Sequence, residues 1–277
     1  MKFINTQGVA IQRLGFGTFR MPGADCQPVV ESALEVGYRH IDTAAMYQNE
    51  DAVGNAVAAS GIARSDIFVT TKVWHDQLSS PETIRSAFDA SLAKLKLDYV
   101  DMYMVHWPSP HMDMAKVMSS LTALREEGLV RAIGVCNFNM PMLRQAIDDL
   151  KAPIATVQVE YHPYIDQSKL LSYLRQRDIA LTAHAPLAQG RAALDETLES
   201  IGRKHGASGA QVAIAWLLDQ PGVIAIPKAQ RLESQRANFA ALNIRLDDDD
   251  RRVIKALPKN LRYVRPPFEP DWDATTL

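Results

Sequence analysis

The chain has 277 residues, of which 47% are hydrophobic, and its formal net charge is −2. This length can bury a large core, and single-domain barrels routinely reach this size, so we expect one domain over residues 1–277. The near-neutral charge gives no basic surface for the phosphates of nucleic acid, and we expect no nucleic-acid partner. Cys26 and Cys136 are too few for a disulfide framework or a structural zinc site.

The sequence shows no targeting or membrane-spanning segment. No apolar run reaches the roughly 18 residues that are needed to span a bilayer. The opening residues 1–7 lack the apolar region of a signal peptide. We therefore expect a cytoplasmic protein without a membrane partner, whose mature chain starts near Met1.

Strand and helix patterns alternate along the chain with a period of about thirty residues, which is typical of βα units. Before the first unit, apolar runs at 3–5 and 9–11 flank a polar turn and predict a short hairpin. Eight strands are predicted, over residues 14–18, 38–42, 67–72, 99–106, 132–136, 156–160, 180–184 and 223–226. Helices are predicted over residues 28–36, 50–60, 81–95, 114–127, 140–150, 169–176, 194–205, 209–219 and 247–257.

Eight strands in this alternation favour a (β/α)8 barrel over an open sheet. A dinucleotide-binding βαβ fold is disfavoured, because Arg20 occupies the place of the third glycine after Gly15 and Gly17. The Pro- and Trp-bearing tail, residues 262–277, is predicted to lie over the barrel mouth.

Polar residues stand at the carboxyl ends of three successive predicted strands. Asp42 ends the second strand and Tyr47 follows in its loop, Lys72 ends the third strand, and His106 ends the fourth. Parallel barrel strands bring their carboxyl ends to one face, where the active sites of such barrels lie. The sequence therefore predicts that these four side chains form one cluster.

These segments resemble the aldo-keto reductases over nearly the whole chain. The resemblance is carried by the run from Gly37 to Gly54, by the three strand ends, and by Gly15-Phe16-Gly17-Thr18, Ile133-Gly134-Val135-Cys136-Asn137-Phe138, Gln158 and Ile226-Pro227-Lys228. The turn at residues 105–110 and the tail at residues 269–273 are most similar to bacterial 2,5-diketo-D-gluconate reductases of the B type.

The resemblance implies reduction of an aldehyde or ketone by hydride from a nicotinamide cofactor, NADPH. Tyr47 would be the general acid, and the Lys72 ammonium would favour its phenolate and lower its pKa. Asp42 would hold Lys72 charged and aimed. His106 would donate a hydrogen bond to the substrate oxygen and fix which carbonyl face meets the hydride.

The same resemblance implies a set of residues that bind the cofactor. Asn137 and Gln158 would hydrogen-bond the carboxamide, and Lys228 with Arg231 would meet the 2′-phosphate, for which an ammonium and a guanidinium are suitable partners. Thr18 and Asp42 would approach the nicotinamide ribose, and the segment from Leu187 to Gly190 would lie along the pyrophosphate. The implied set also includes Gly17, Cys136, His184 and Asn238.

The substrate pocket implied by the resemblance is aromatic. Phe19, Trp74, Trp107 and Trp272 would line it, with Tyr47 and His106 at its base. Such a wall suits small aldehydes, dicarbonyls, keto sugars and keto acids without choosing among them. We expect a monomer whose only partner is this small-molecule carbonyl substrate.

Four positions depart from the family pattern. Cys136 stands where Ser is usual, His184 replaces the aromatic ring that stacks on the nicotinamide, Ala229 removes a hydroxyl near the 2′-phosphate, and Ser234 lies where an Arg often packs on the adenine. These changes concern the strength of cofactor binding and the preference for NADPH over NADH rather than the chemistry.

Two other functions are open to a chain of this kind. A non-catalytic member of the same fold would bind NADP as a regulatory or structural subunit, but all four catalytic residue types are present. A metal-dependent barrel hydrolase would need His-x-His at a strand end or a carboxylate cluster. The histidines show no such pair, since His106 and His111 flank a proline-rich turn, and no metal site is expected.

Overall fold

The computed structural model describes residues 3–274. Its first elements are strands β1 (Phe3–Thr6) and β2 (Val9–Gln12), which form the predicted antiparallel hairpin. The Thr6 hydroxyl, with one proton to donate, lies 2.7 Å from the backbone oxygen of Ala155 and 2.9 Å from that of Asp178. Both acceptors lie near the amino ends of barrel strands, so the hairpin covers the bottom of the barrel.

Eight parallel strands follow, each paired with the next one in the chain. They are β3 (Phe16–Gly17), β4 (His40–Asp42), β5 (Phe68–Val73), β6 (Val100–Val105), β7 (Val130–Cys136), β8 (Ile154–Glu160), β9 (Ala180–His184) and β10 (Val223–Ala225). A parallel bridge between Leu14 and Ala225, with the Gly15 N–H 2.9 Å from the Ala225 oxygen, joins the last strand to the first. The predicted (β/α)8 barrel is confirmed.

Helices surround the strands on the outside. They are α1 (Gly23–Val36), α2 (Glu50–Ala59), α3 (Pro81–Leu95), α4 (Met114–Glu126), α5 (Met140–Leu143), α6 (Ser168–Arg175), α7 (Glu196–His205), α8 (Gly209–Asp219), α9 (Leu232–Ala240) and α10 (Asp248–Ala256). The Asp247 carboxylate accepts from the Asp250 N–H, and the Asp250 carboxylate accepts from the Asp247 N–H. This capping box explains the acidic run in the sequence at the start of α10.

Three helices differ from their predictions. Helix α1 begins at Gly23 and carries Pro28 inside it rather than at its start. The predicted helix at residues 140–150 is one α-helical turn followed by a π-helical turn, Arg144–Asp149. Helix α9 was not predicted, because its apolar residues do not repeat on one face.

Two clusters of the hydrophobic core build the barrel itself. The larger one lies between the strands and the helices. The smaller one fills the barrel, where Val9 and Ile11 of the hairpin pack with Met102, Met104 and Ile224 from the strands. The hairpin therefore closes the bottom of the barrel, and the carboxyl ends of the strands remain as its mouth.

The described part of the predicted tail, residues 262–274, crosses this mouth. The Phe268 ring lies 5.7 Å from the Trp74 ring and 5.6 Å from the Trp107 ring, centroid to centroid. The Asn139 amide donates to the backbone oxygen of Asp271 at 2.9 Å. The position predicted for the tail is thus confirmed up to Ala274, and residues 275–277 lie outside the described residues.

Within residues 3–274, no helix is both long enough and apolar enough to cross a membrane.

Candidate active site

A buried ion pair lies at the centre of the mouth. The Lys72 ammonium donates to the Asp42 carboxylate at 2.5 Å and to the Thr43 backbone oxygen at 2.8 Å, and both ionised side chains are at most 2% exposed. The other Asp42 oxygen accepts from the Gln158 amide at 2.9 Å. With both carboxylate oxygens occupied, the Asp42 side chain is fixed, and it fixes Lys72 in turn.

The phenol and the imidazole lie beside this pair. The Lys72 Nζ is 5.2 Å from the centre of the Tyr47 ring. The Tyr47 hydroxyl is 3.5 Å from His106 Nε2, a long contact of the kind that commonly shortens when a substrate is bound. The predicted cluster of Asp42, Tyr47, Lys72 and His106 is therefore brought together at one face.

Lys72 is charged in this cluster, whereas the Tyr47 phenol is neutral. Burial alone lowers the pKa of Lys72, but the Asp42 carboxylate, together with Tyr47 and Cys136, outweighs it and holds that pKa above the ordinary lysine value. Burial raises the pKa of Tyr47 to about 12, although Lys72 pulls in the opposite direction. Lys72 therefore lowers the pKa of Tyr47 as expected, but burial raises that pKa by more.

His106 is neutral in this environment. Burial first, and then the positive charge of Lys72, hold its pKa well below the usual histidine value. Within residues 3–274, its Nδ1 has no hydrogen-bond partner, so we assign the ring proton to Nε2. In this tautomer His106 presents an N–H to the space beside the Tyr47 hydroxyl.

Two further predicted residues form a chain of hydrogen bonds behind His106. His184 Nε2 lies 2.9 Å from the Asn137 side-chain oxygen, and the Asn137 amide donates to the His106 backbone oxygen at 3.0 Å. Burial lowers the pKa of His184 to about 4, so the ring is neutral and can donate its Nε2–H. The histidine that replaces the expected aromatic residue therefore orients Asn137.

The predicted phosphate-binding residues lie at the edge of the mouth, after β10. Lys228 and Arg231 are exposed, and Arg231 is the N-cap residue of α9. The Lys228 ammonium donates to the Arg20 backbone oxygen at 2.9 Å. Two cations and the N–H groups of a helix start are suited to bind an anion.

Three other predicted cofactor residues lie directly after β3 and in the segment after β9. Thr18 is fully buried, and its hydroxyl donates to the Asp42 backbone oxygen at 3.1 Å. Leu187 and Gly190 lie in the irregular segment after β9, where Gly190 has a φ of +93°. Glycine adopts this left-handed conformation readily, which allows the sharp turn of the segment.

The last three predicted cofactor residues lie at strand ends and in a helix. Gly17 ends β3, and a Cβ added to it would lie only 2.8 Å from the Ile226 backbone oxygen. Cys136 ends β7, and its thiol lies 3.9 Å from the Met104 sulfur, inside the barrel. Asn238 is buried in α9. The cysteine that replaces the usual serine is therefore packed among apolar barrel residues.

Aromatic rings surround the opening above Tyr47 and His106. Phe19 lies 5.0 Å from the Tyr47 ring, and Trp74 lies 5.1 Å from the His106 ring, centroid to centroid. Trp107 is buried and contacts Phe268 of the tail. Three of the predicted pocket residues are thus placed around the cluster.

The tail contributes a ring that the sequence analysis missed. Phe268 contacts Trp74 and Trp107, and its centroid is 4.4 Å from that of His75. The contacts described for the predicted Trp272 are with Arg262, over its ring at 3.8 Å, and with Glu269. A single aromatic residue in an irregular tail gives no periodicity from which its partner could have been predicted.

Within residues 3–274, no group of three or more His, Cys, Asp or Glu side chains is arranged so that it could hold a metal ion.

Comparisons with known proteins identify the family. Residues 13–259 match the model of the Aldo/keto reductase family. The chain belongs to the aldo/keto reductase family. It is 41% identical to a methylglyoxal reductase DkgB of Escherichia coli over 269 residues, which are 96% of this chain and 100% of that protein.

Solved structures agree with this assignment. A crystal structure of a putative 2,5-diketo-D-gluconic acid reductase B has a TM-score of 0.95 and 40% identity, covering 99% of this chain and 98% of that one. An aldo/keto reductase from Brucella melitensis has a TM-score of 0.85 and 38% identity, covering 91% and 98%. The resemblance inferred from the sequence is confirmed, and the chain is an oxidoreductase of this family.

Proposed function

We propose that this aldo/keto reductase uses NADPH to reduce small aldehydes and dicarbonyls to alcohols, acting as a monomer with a single domain over residues 1–277. The observation that carries the proposal is the buried Asp42–Lys72 ion pair beside the Tyr47 phenol and the neutral His106 imidazole. Reduction of a carbonyl needs a proton donor and a polar environment for the developing alkoxide, and these groups supply both.

Each residue has one part in the proposed reaction. When bound, NADPH supplies the hydride, which no side chain can provide. Tyr47 gives its phenolic proton to the carbonyl oxygen, and the Lys72 ammonium stabilises the phenolate that remains. His106 donates its Nε2–H to the same oxygen and so orients the carbonyl. Asp42 keeps Lys72 charged through the whole cycle.

The side chains around the mouth fit a nicotinamide dinucleotide. Asn137 directly follows β7 and Gln158 lies on the adjoining β8, where the Asn137 backbone N–H donates to the Gln158 backbone oxygen at 2.9 Å. Their side-chain amides match the chemistry of a carboxamide. Lys228 and Arg231 are cations at the start of α9, and they are suited to the 2′-phosphate that distinguishes NADPH from NADH. These placements support the proposed preference for NADPH.

The pocket supports a small, neutral substrate. Its described wall consists of aromatic rings from Phe19, Trp74, Trp107 and Phe268. The Escherichia coli relative is named for methylglyoxal, a small dicarbonyl, and a short dicarbonyl fits an aromatic wall without a charged partner. We therefore propose methylglyoxal as the first substrate to test.

The experiment mixes the purified protein with NADPH and methylglyoxal in the presence of EDTA and follows the loss of NADPH absorbance. We expect a loss that depends on both the protein and the dicarbonyl and that EDTA does not change. Binding of NADPH without turnover, over a panel of aldehydes and ketones, would contradict the proposal and favour a non-catalytic NADP-binding protein.

A further inference from the structure

A carboxylate outside the catalytic cluster fastens the tail to the barrel. Glu160 is the last residue of β8 and is fully buried. One of its oxygens accepts from the Tyr263 N–H at 2.8 Å and from His162 Nε2 at 2.9 Å, and the other accepts from the Val264 N–H at 3.0 Å. The Arg262 guanidinium lies 3.9 Å from this second oxygen. These partners fix the position of the buried Glu160 carboxylate, and the carboxylate in turn fixes the backbone N–H groups of Tyr263 and Val264.

The segment that is hydrogen-bonded to Glu160, residues 263–264, lies close in sequence to a residue of the pocket wall. Phe268 follows Val264 by four residues and contacts Trp74 and Trp107. Between them, Arg265 pairs with Glu269 at 2.8 Å, which closes the tail into a compact turn. Movement at residues 263–264 would therefore be transmitted to Phe268.

The same segment also contacts the loop after β9. The Gln189 amide donates to the Tyr263 backbone oxygen at 3.2 Å, and the Arg191 guanidinium lies 4.1 Å from the centre of the Tyr263 ring. These contacts lie at the protein surface and are weaker than the buried bonds of Glu160. The buried bonds of Glu160 thus attach residues 263–264 more firmly than these surface contacts do.

We propose that Glu160 is a positioning residue that fastens residues 263–264 to the end of β8 and thereby holds Phe268 against Trp74 and Trp107, closing the substrate pocket. The proposal rests on the proposed function, because it assigns Phe268 to the wall of that pocket. Among the hydrogen bonds of residues 3–274, none joins Glu160 to Tyr47 or to Lys72.

The test compares Glu160→Gln with Glu199→Gln. The Tyr263 and Val264 N–H groups point at different oxygens of Glu160, and a glutamine at position 160 has an NH2 donor in place of one of them, so one of the two backbone N–H groups then faces a donor. Glu199 is a matched control on α7, because its carboxylate also accepts from a backbone N–H, that of Gly209 at 2.6 Å, which is not part of the tail. We expect Glu160→Gln to raise the KM for methylglyoxal about tenfold with kcat changed less than about twofold, and Glu199→Gln to change neither.

Phe268→Ala decides whether Glu160 acts through this ring. Alone, it should raise the KM about as much as Glu160→Gln does. In the double variant, Glu160→Gln should add less than about a twofold further increase, because the contact it positions is already gone. Independent, multiplying effects of the two changes, or an unchanged KM in Phe268→Ala, would overturn the proposal.

A second measurement does not depend on catalysis. Trypsin cleavage after Arg262, followed by mass spectrometry on the cofactor-free protein, should be faster in Glu160→Gln than in wild type or Glu199→Gln. Equal cleavage rates would overturn the proposed fastening even if the enzyme is active. Conversely, faster cleavage in a protein that does not reduce carbonyls would leave the fastening standing and contradict the proposed function.

Discussion

Two lysines at the mouth of the barrel have opposite environments. Lys72 is fully buried and paired with Asp42, which holds its pKa above the ordinary value. Lys228 is exposed and has a backbone oxygen as its described partner, while partial burial and then Arg20 lower its pKa. The first lysine is fixed before any ligand arrives, whereas the second has a charge that an incoming anion can neutralise.

This difference assigns the buried Lys72 to the reaction and the exposed Lys228 to cofactor binding. Groups that are held in a water-excluded site act strongly on a reacting atom, because they need no reorganisation. Exposed cations act through screened charge and contribute less. Changes in the buried cluster should therefore have larger effects than changes at the Lys228 edge.

The largest effect is expected from Tyr47→Phe. Removal of the proposed proton donor should lower kcat for methylglyoxal reduction by about 10² to 10⁴, because general acid catalysis commonly contributes that much. NADPH affinity, measured by fluorescence titration, should stay within about twofold of wild type, because the hydroxyl acts only on the reacting oxygen. Tyr99→Phe, just before the amino end of β6, is the control and should keep full activity.

Lys72→Met comes next. Loss of the ammonium should lower turnover by roughly 10² and raise the pKa of Tyr47, since the charge that opposes burial is gone. The alkaline limb of the pH profile for alcohol oxidation should then move to higher pH. An unchanged profile would contradict the proposed pairing of Lys72 with the phenol.

The same variant should also be less stable, because Asp42 would be left buried without its partner. Breaking a buried ion pair costs about 3 to 5 kcal/mol. The double variant Asp42→Asn, Lys72→Met removes both charges and should recover much of this stability without recovering activity. Chemical denaturation of the wild type and the two variants measures the free energy of unfolding of each.

A smaller effect is expected at the exposed edge. The double variant Lys228→Ala, Arg231→Ala should weaken NADPH binding about ten- to hundredfold, because the two exposed, solvent-screened cations together contribute roughly 1.4 to 2.7 kcal/mol. NADH lacks the phosphate and should bind this variant as it binds wild type. Equal affinities for NADPH and NADH in the wild-type protein would rule out this role for the two cations.

The smallest effect is expected from His184→Phe. The substitution keeps a ring at this position but loses the Nε2–H that reaches the Asn137 oxygen, so Asn137 is less firmly oriented. We expect cofactor affinity to fall by roughly fivefold, the value of one neutral hydrogen bond. Asn137→Ala should remove the additional effect of His184→Phe, since the two residues would then act through the same contact.

The sequence predicted the barrel and its catalytic face from local patterns. Asp42, Lys72 and His106 each follow a short buried run, and the parallel barrel brings such positions together regardless of loop detail. Helix α9 was missed because it has no continuous apolar face. Its position depends on packing against neighbours, which a local pattern does not contain.

The tail shows the limit of such reasoning more clearly. Glu160 ends β8 just as Lys72 and His106 lie near the ends of their strands, yet two of its partners are backbone N–H groups about a hundred residues later. Backbone donors carry no side-chain signature in a sequence. The sequence also named Trp272 as the pocket residue of the tail, whereas in the structure it is Phe268 that contacts Trp74.

The most direct test of the central proposal is the transfer of deuterium from NADPH that is labelled at the nicotinamide carbon. Wild type should place one deuterium on the carbinol carbon of the product from one of the two labelled forms, and Tyr47→Phe should transfer almost none while still binding the cofactor. Product that lacks the label, or that takes its carbon-bound deuterium from heavy water, would contradict hydride transfer at this site.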